Sequence, residues 1–146
     1  MNMLTNQTTY RVIYGDTDNM GMAYHANYLR WFEMGRAELF RAAGLSYKEI
    51  EENGIFLPVS QAHLKYLAPA RYDDVIVIEA TVDGKIKAGV KFEYRIFSQE
   101  EKLDLATGYT IHAFVNGDGR VIRPPAFIKA LIDKHFRNKP TLAGDD

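Results

Sequence analysis

The feature of this sequence that most constrains its fold is one long segment with helical spacing, from about Tyr24 to Ala43. Large side chains recur in it every three or four positions, which predicts an α-helix: Tyr28, Leu29, Phe32, Leu39 and Phe40. Trp31 and Met34 lie outside this stripe, so we expect the helix to be packed over most of its circumference against a sheet. Gly35 is unfavourable at the centre of a helix, which we interpret as a sign that another backbone passes close by.

The rest of the chain is mostly strand-like. A β-rich run from Thr9 to Tyr14 precedes the helix, and Gly44 is suited to end it. A capping box at Ser46 to Glu49 then predicts a short helix. Four runs favour strands: Phe56 to Leu67, Val75 to Val82, Val90 to Phe97 and Leu103 to Val115. A last amphipathic helix begins at Pro124. This order predicts an α+β fold in which one antiparallel sheet wraps around a single long central helix.

Length and composition limit the kinds of function that this chain can have. Its 146 residues predict a single domain, with a core from about residue 8 to 135 and dispensable ends at Met1 to Thr5 and Asn138 to Asp146. The absence of cysteine excludes disulfides and thiolate chemistry. A net charge of -1 gives no field for nucleic acid, and no apolar run is long enough to cross a membrane. We therefore expect a cytoplasmic protein that acts on a small molecule.

A single antiparallel sheet with a helix on one side leaves a face and two edges unprotected. Pairing with a second copy of the chain is the simplest way to cover them. The sequence therefore predicts a homodimer or a dimer of dimers, without distinguishing the two.

Several familiar active sites are missing. None of the three serines lies in a Gly-x-Ser-x-Gly elbow, and no glycine-rich loop has the spacing of a phosphate site. The four histidines are far apart in sequence, so we expect no metal site. We interpret His63 and His112 as structural or solvated residues, and His135 as one that favours the negative pole of the last helix.

The segment from Gly15 to Tyr28 is the richest in chemistry. It combines two carboxylates, a histidine and an amide in the turn that opens the long helix. Such residues are also good turn and cap formers, which is the simpler explanation. However, the first turn of a helix has free N–H groups that can stabilise an oxyanion, and a nearby carboxylate can activate water or attack directly. Together these parts suit hydrolysis of an activated acyl group.

Three motifs make a family resemblance visible at this point. The first is Tyr14-Gly15-Asp16-Thr17-Asp18 with Gly21, Tyr24-His25-Ala26-Asn27-Tyr28, Glu33 and Arg36; the others are Pro69 to Asp74 and Gly119 to Pro124. The chain, from about Tyr10 to Ile132, resembles the hotdog-fold acyl-CoA thioesterases, and within them the 4-hydroxybenzoyl-CoA thioesterase and YbgC-like group. The resemblance implies a hotdog fold with active sites at the dimer interface.

The resemblance also implies roles for individual residues. Asp18 would be the catalytic carboxylate, as a general base on water or as a nucleophile, and Asp16 would support the turn. His25 would place its backbone N–H against the thioester carbonyl, and its imidazole could orient water. Tyr24 and Asn27 flank these positions as candidate substrate-binding residues. We expect Asp18 to be partly buried and to face the other chain.

Coenzyme A would be part of the substrate, and no separate cofactor or metal is expected. Its phosphates need cations, and the candidates are Lys65, Arg71, Lys85, Lys87, Arg120 and Arg123, among which we select Arg123. The sequence leaves two alternatives open: a thioesterase for acyl groups on acyl carrier protein, and a non-catalytic acyl-CoA binder. It does not indicate the acyl chain.

Overall fold

In the part of the chain that the structure describes, five strands form one antiparallel sheet, and a long helix packs across one face of it. The computed structural model describes residues 3–83 and 88–138, with side chains described as far as residue 134. In chain order the elements are β1 (Met3–Arg11), α1 (Asn27–Ala42), α2 (Tyr47–Glu52), β2 (Val59–Tyr66), β3 (Val75–Asp83), β4 (Gly89–Ser98), β5 (Asp104–Ala113) and α3 (Ala126–Asn138). The strand order in the sheet is β1-β3-β4-β5-β2. The predicted α+β class and antiparallel sheet are confirmed.

The core lies between α1 and the inner face of the sheet. Trp31, Phe32 and Leu39 of α1 are fully buried there against the inward side chains of β3 and β4. Gly35 allows this close packing, because a Cβ at this position would lie 2.7 Å from Cγ2 of Ile78 on β3. The close neighbour is thus a side chain of the sheet, and not the passing backbone that the sequence suggested.

The first strand begins earlier than the sequence predicted. Thr9 to Tyr14 was expected to be the strand, whereas β1 spans Met3–Arg11 and is paired along its whole length with β3. Leu4 belongs to the buried core, so the expectation that Met1 to Thr5 is dispensable is wrong for residues 3–5. A polar, alternating strand at a sheet edge has a weak apolar signal, which is why the sequence pattern placed it too late.

A chain of buried polar groups connects α1 to the sheet. Arg36 donates to the hydroxyl of Tyr94 at 3.4 Å, Tyr94 and Thr110 are joined at 2.6 Å, and Thr110 and Nε2 of His112 at 2.8 Å. Nδ1 of His112 lies 2.9 Å from the carbonyl oxygen of Leu57, just before β2. Since a carbonyl only accepts, Nδ1 carries a proton here. His112 is completely buried, so its structural interpretation is confirmed and a solvated one is wrong.

The edge strand β2 is the most exposed strand of the sheet. Only Leu64 among its eight residues is partly buried, and the others are exposed on both faces. In the described sheet β2 pairs only with β5, so the other side of β2 has no pairing partner within residues 3–83 and 88–138. No helix in this part of the chain is long and apolar enough to cross a membrane.

Candidate active site

A 3₁₀ turn at Tyr14–Asp16 follows β1 and buries the first carboxylate of the motif. Asp16 is 2% exposed. Its Oδ2 accepts hydrogen bonds from the hydroxyl of Tyr10 at 2.8 Å and from the N–H of Ile13 at 3.0 Å, and its Oδ1 pairs with Arg30 of α1 at 2.8 Å. With both oxygens occupied, Asp16 holds the end of β1 and the start of α1 together, as expected of a supporting residue.

The second carboxylate, Asp18, lies in a tight loop between Thr17 and Ala23, which form a β-bridge. Its backbone N–H donates to the carbonyl of Met22 at 2.8 Å, and its Oδ1 accepts from the N–H groups of Met20 and Met22 at 2.9 and 3.3 Å. The side chain is partly buried, and within the described residues its Oδ2 has no hydrogen-bond partner. The loop therefore fixes one carboxylate oxygen and leaves the other available.

The segment that opens α1 is bound to the same turn. The backbone carbonyl of Asp16 accepts the N–H of Tyr24 at 2.8 Å and the side-chain amide of Asn27 at 2.7 Å. The N–H groups of His25 and Ala26, just before α1, have no partner in residues 3–83 and 88–138. These are the unpaired donors expected at the positive end of a helix.

The predicted site residues around this helix start differ in their surroundings. Tyr24 is about half exposed, and its ring centroid is 4.5 Å from that of the exposed His25. The side-chain amide of Asn27, by contrast, already donates to the turn, so its observed role is to hold the loop. The expected substrate contact of Asn27 stays a prediction.

A further tyrosine at this site was not found from the sequence. Tyr66, at the end of β2, donates its hydroxyl proton to the backbone carbonyl of His25 at 2.9 Å. Its ring contacts those of His25 and Tyr28 edge-on, with centroids 6.4 and 5.0 Å apart. The two partners are 41 residues apart in sequence, and no local pattern connects them.

The motif from Pro69 to Asp74, one of the three that carry the family resemblance, also contributes to the site. The backbone carbonyl of Ala70 accepts a hydrogen bond from the N–H of Ala23 at 2.8 Å, and Arg71 forms a β-bridge with Met22. At the same time the carbonyl of Asp74 accepts the N–H of Val12 at 2.9 Å. This segment therefore clamps both the end of β1 and the loop of Asp18.

Arg123, which was selected from the sequence to bind the phosphates of coenzyme A, does not lie near this site within one protomer. Arg123 is exposed. Its neighbour Ile122 donates its N–H to the backbone carbonyl of Phe114, which lies just after the end of β5. β5 begins at the end of the sheet where β1 finishes and runs away from it for ten residues, roughly 30 Å. The exposed Arg71, by contrast, forms a β-bridge with Met22 in the loop of Asp18 and so lies beside the site. Lys85, Lys87 and the side chain of His135 lie outside the described residues.

The arrangement has the parts needed to hydrolyse an acyl group. Asp18, partly buried, lies in the loop closed by Thr17 and Ala23, and the start of α1 follows directly; among the described residues one oxygen of Asp18 and the N–H groups of His25 and Ala26 have no hydrogen-bond partner. No group of three or more metal-ligating side chains occurs among the residues described. A carboxylate can act as a general base and backbone N–H groups at a helix start can stabilise an oxyanion, which together are parts that acyl hydrolysis uses.

This chain is similar in sequence to bacterial thioesterases. YneP of Bacillus subtilis, a proposed acyl-CoA thioesterase, is 30% identical over 133 residues, which cover 91% of this chain and 94% of YneP. The acyl-CoA thioester hydrolase YbgC of Escherichia coli is 31% identical over 103 residues, or 70% of this chain and 77% of YbgC.

A solved structure supports the fold. A 4-hydroxybenzoyl CoA thioesterase variant, crystallised with 4-hydroxybenzoyl CoA, superimposes with a TM-score of 0.79 at 22% identity, covering 88% of this chain and 99% of that one. This likeness confirms the hotdog fold predicted from the motifs. The family model of the thioesterase-like superfamily matches residues 12–135 of this chain. The chain belongs to the thioesterase-like superfamily, within the group that includes the YbgC proteins.

Proposed function

We propose that this protein hydrolyses acyl-CoA thioesters to a free acid and coenzyme A. The observation that carries the proposal is that the short segment from Asp18 to Ala26 holds a carboxylate oxygen of Asp18 and the N–H groups of His25 and Ala26, none of which has a hydrogen-bond partner in the described part of the chain. The names of the relatives favour a thioester over other acyl substrates.

The reaction needs only water as a second substrate. In one route Asp18 takes a proton from water, the water oxygen bonds to the thioester carbon, and the carbonyl oxygen becomes an oxyanion held by the backbone N–H groups of His25 or Ala26. The C–S bond then breaks, and the coenzyme A thiolate leaves. In the other route an oxygen of Asp18 bonds to the thioester carbon, the C–S bond breaks and the coenzyme A thiolate leaves; water then hydrolyses the resulting anhydride to the free acid and the Asp18 carboxylate. His25, whose imidazole is exposed, is the candidate to orient water in either route.

We expect the substrate to bind between two protomers. The exposed strand β2 and the partly open site support a homodimer in which the acyl group lies between subunits. Tyr24 is the candidate contact for the acyl group, and Arg71 or a partner's copy of Arg123 is the candidate contact for the phosphates.

The direct test is a panel of aromatic, short and long acyl-CoA thioesters incubated with the purified protein, with release of free thiol followed optically. Hydrolysis of at least one of them, saturable in substrate, is the expected result. The same acyl groups on acyl carrier protein distinguish the carrier-protein alternative, because only that alternative predicts a preference for them. Tight acyl-CoA binding without thiol release would instead support the non-catalytic binder and contradict the proposal.

A further inference from the structure

The hydroxyl group of Tyr66 is aimed at the peptide group from which α1 starts. It lies 2.9 Å from the backbone carbonyl oxygen of His25, within the normal range of a hydrogen bond. Among the described residues, the same carbonyl accepts only one other hydrogen bond, a longer one of 3.4 Å from the N–H of Tyr28. Tyr66 is therefore the main partner of this carbonyl.

The other end of this peptide group is the N–H of Ala26. In a trans peptide the C=O and N–H point in opposite directions, and the structure has no cis peptide in its described part. The hydrogen bond from Tyr66 to the His25 carbonyl thus fixes the plane of this peptide group at one end. At the other end, the N–H of Ala26 points out of the helix start. That N–H has no partner in the described part of the chain.

Hydrogen bonds at the two ends of a peptide group strengthen each other. A donor on the carbonyl polarises the group and makes its N–H a stronger donor. This matters most when the N–H faces an oxygen that gains charge during a reaction, because donors placed before the reaction need no reorganisation.

The position of Tyr66 is itself supported. Although 47% of its surface is exposed, its ring packs edge-on against Tyr28, with centroids 5.0 Å apart. Tyr28 is buried, and its own hydroxyl accepts the N–H of Ala70 at 3.2 Å. Burial raises the pKa of Tyr66, so its hydroxyl keeps the proton that it donates.

We propose that Tyr66 is a positioning residue for thioester hydrolysis: its hydroxyl orients and polarises the His25–Ala26 peptide group, whose N–H stabilises the oxyanion. This inference rests on the proposed thioesterase function and adds a residue from a different strand to it. It also assigns part of the oxyanion site to the N–H of Ala26 beside that of His25.

The test compares Tyr66→Phe with Tyr109→Phe in the full-length protein. Tyr66→Phe removes only the hydroxyl and keeps the ring that packs on Tyr28. Tyr109, on β5, is a matched control because its hydroxyl makes no hydrogen bond within residues 3–83 and 88–138, and its ring stacks on His63 of β2. We expect Tyr66→Phe to lower kcat about tenfold, the effect of losing one ordinary hydrogen bond, with KM changed less than about twofold. Tyr109→Phe should leave both constants unchanged.

A spectroscopic measurement separates this effect from a general loss of structure. In the slow variant Asp18→Asn, the bound thioester carbonyl should absorb at a lower infrared frequency than in water, because the oxyanion donors polarise it. Adding Tyr66→Phe should reverse part of that shift while the melting temperature stays within about 2 °C. An unchanged kcat and an unchanged carbonyl frequency in the Tyr66 variant would overturn the inference, even if the parent protein hydrolyses acyl-CoA. Absence of hydrolysis by the parent protein would instead contradict the proposed function.

Discussion

At the scale of single residues, two aspartates only two positions apart have opposite surroundings. Both oxygens of Asp16 accept hydrogen bonds, one of them from Arg30, and the side chain is buried. Asp18 uses one oxygen for its own loop, and the other accepts no hydrogen bond from the residues that the structure describes. A carboxylate that supports structure and one that is available for chemistry are therefore distinguished by their hydrogen bonds, and not by their spacing.

This difference predicts that Asp16→Asn destabilises the fold. The new NH₂ group would face one of the donors that now bind the carboxylate, and the pairing with Arg30 would weaken. We expect the free energy of unfolding to fall by about 2 to 3 kcal/mol, measured by chemical denaturation. The same change at Asp73, whose pairing with Arg11 is exposed on both sides, is the control and should cost less than about 0.5 kcal/mol. Equal losses in the two variants would refute the supporting role of Asp16.

The buried histidine predicts a dependence of stability on pH. Burial, together with the nearby charge of Arg36, lowers the pKa of His112 from 6.5 to about 4. Above pH 6.5 this histidine is neutral in both states and contributes no slope. As the pH falls from 6.5 towards 4, His112 becomes protonated in the unfolded chain but stays neutral in the folded chain. The free energy of unfolding therefore decreases, by about 3 kcal/mol in all.

The measurement is denaturant unfolding at several pH values, compared between the parent protein and His112→Asn. The variant should lose this part of the slope, whereas His63→Gln, at an exposed histidine, should keep it. An identical slope in the parent protein and His112→Asn would show that His112 does not cause it.

At the scale of elements, β5 depends on a glycine at its centre. A Cβ on Gly108 would overlap the carbonyl oxygen of His63 on β2 and lie 2.8 Å from the ring of Phe32 on α1. Because one of these neighbours is backbone, it cannot move aside without breaking the pairing of the two strands. We expect Gly108→Ala to lower the free energy of unfolding by about 3 kcal/mol or more. Gly117→Ala, where a Cβ would meet nothing within 4 Å, should change it little, and a similar loss there would refute this explanation.

The sequence predicted most elements because their patterns are local. The long helix, the capping box at Ser46 and four of the five strands were found within a few residues of their ends, since apolar periodicity and cap residues act over one or two turns. The first strand was placed wrongly because its polar residues form no such pattern. The buried chain from Arg36 to His112 was not predicted, since it joins residues on different elements.

The site was predicted in part for the same reason. The segment from Gly15 to Tyr28 carries its carboxylates, histidine and helix start in consecutive residues, so the sequence indicated it directly. Tyr66 and the clamp formed by Ala70 and Arg71 reach it only through folding. The position of Arg123 at the far end of the sheet follows from strand direction, which no local pattern encodes.

At the scale of the whole molecule, the open edge at β2 predicts a dimer. Analytical sedimentation should therefore give a molecular mass of at least twice the 16.6 kDa of one chain.

Ala62 of β2 is exposed. It pairs with the buried Thr110, so it lies on the inner face of the sheet, the face against which α1 packs. Ala62→Arg should produce monomers with reduced thiol release. Gln61→Arg, on the outer face of the same strand, should remain a dimer. A wild-type monomer with full activity would contradict this part of the proposal.

The most direct test of the central claim is the rate of thiol release by Asp18→Asn. An asparagine can keep the loop, because its carbonyl oxygen can accept the N–H groups of Met20 and Met22 that now bind Oδ1. We therefore expect an unchanged melting temperature and a kcat lowered at least about 100-fold. Asn19→Ala, at the exposed neighbouring residue, should leave kcat unchanged. A folded Asp18→Asn variant that releases coenzyme A at the parent rate would contradict the account.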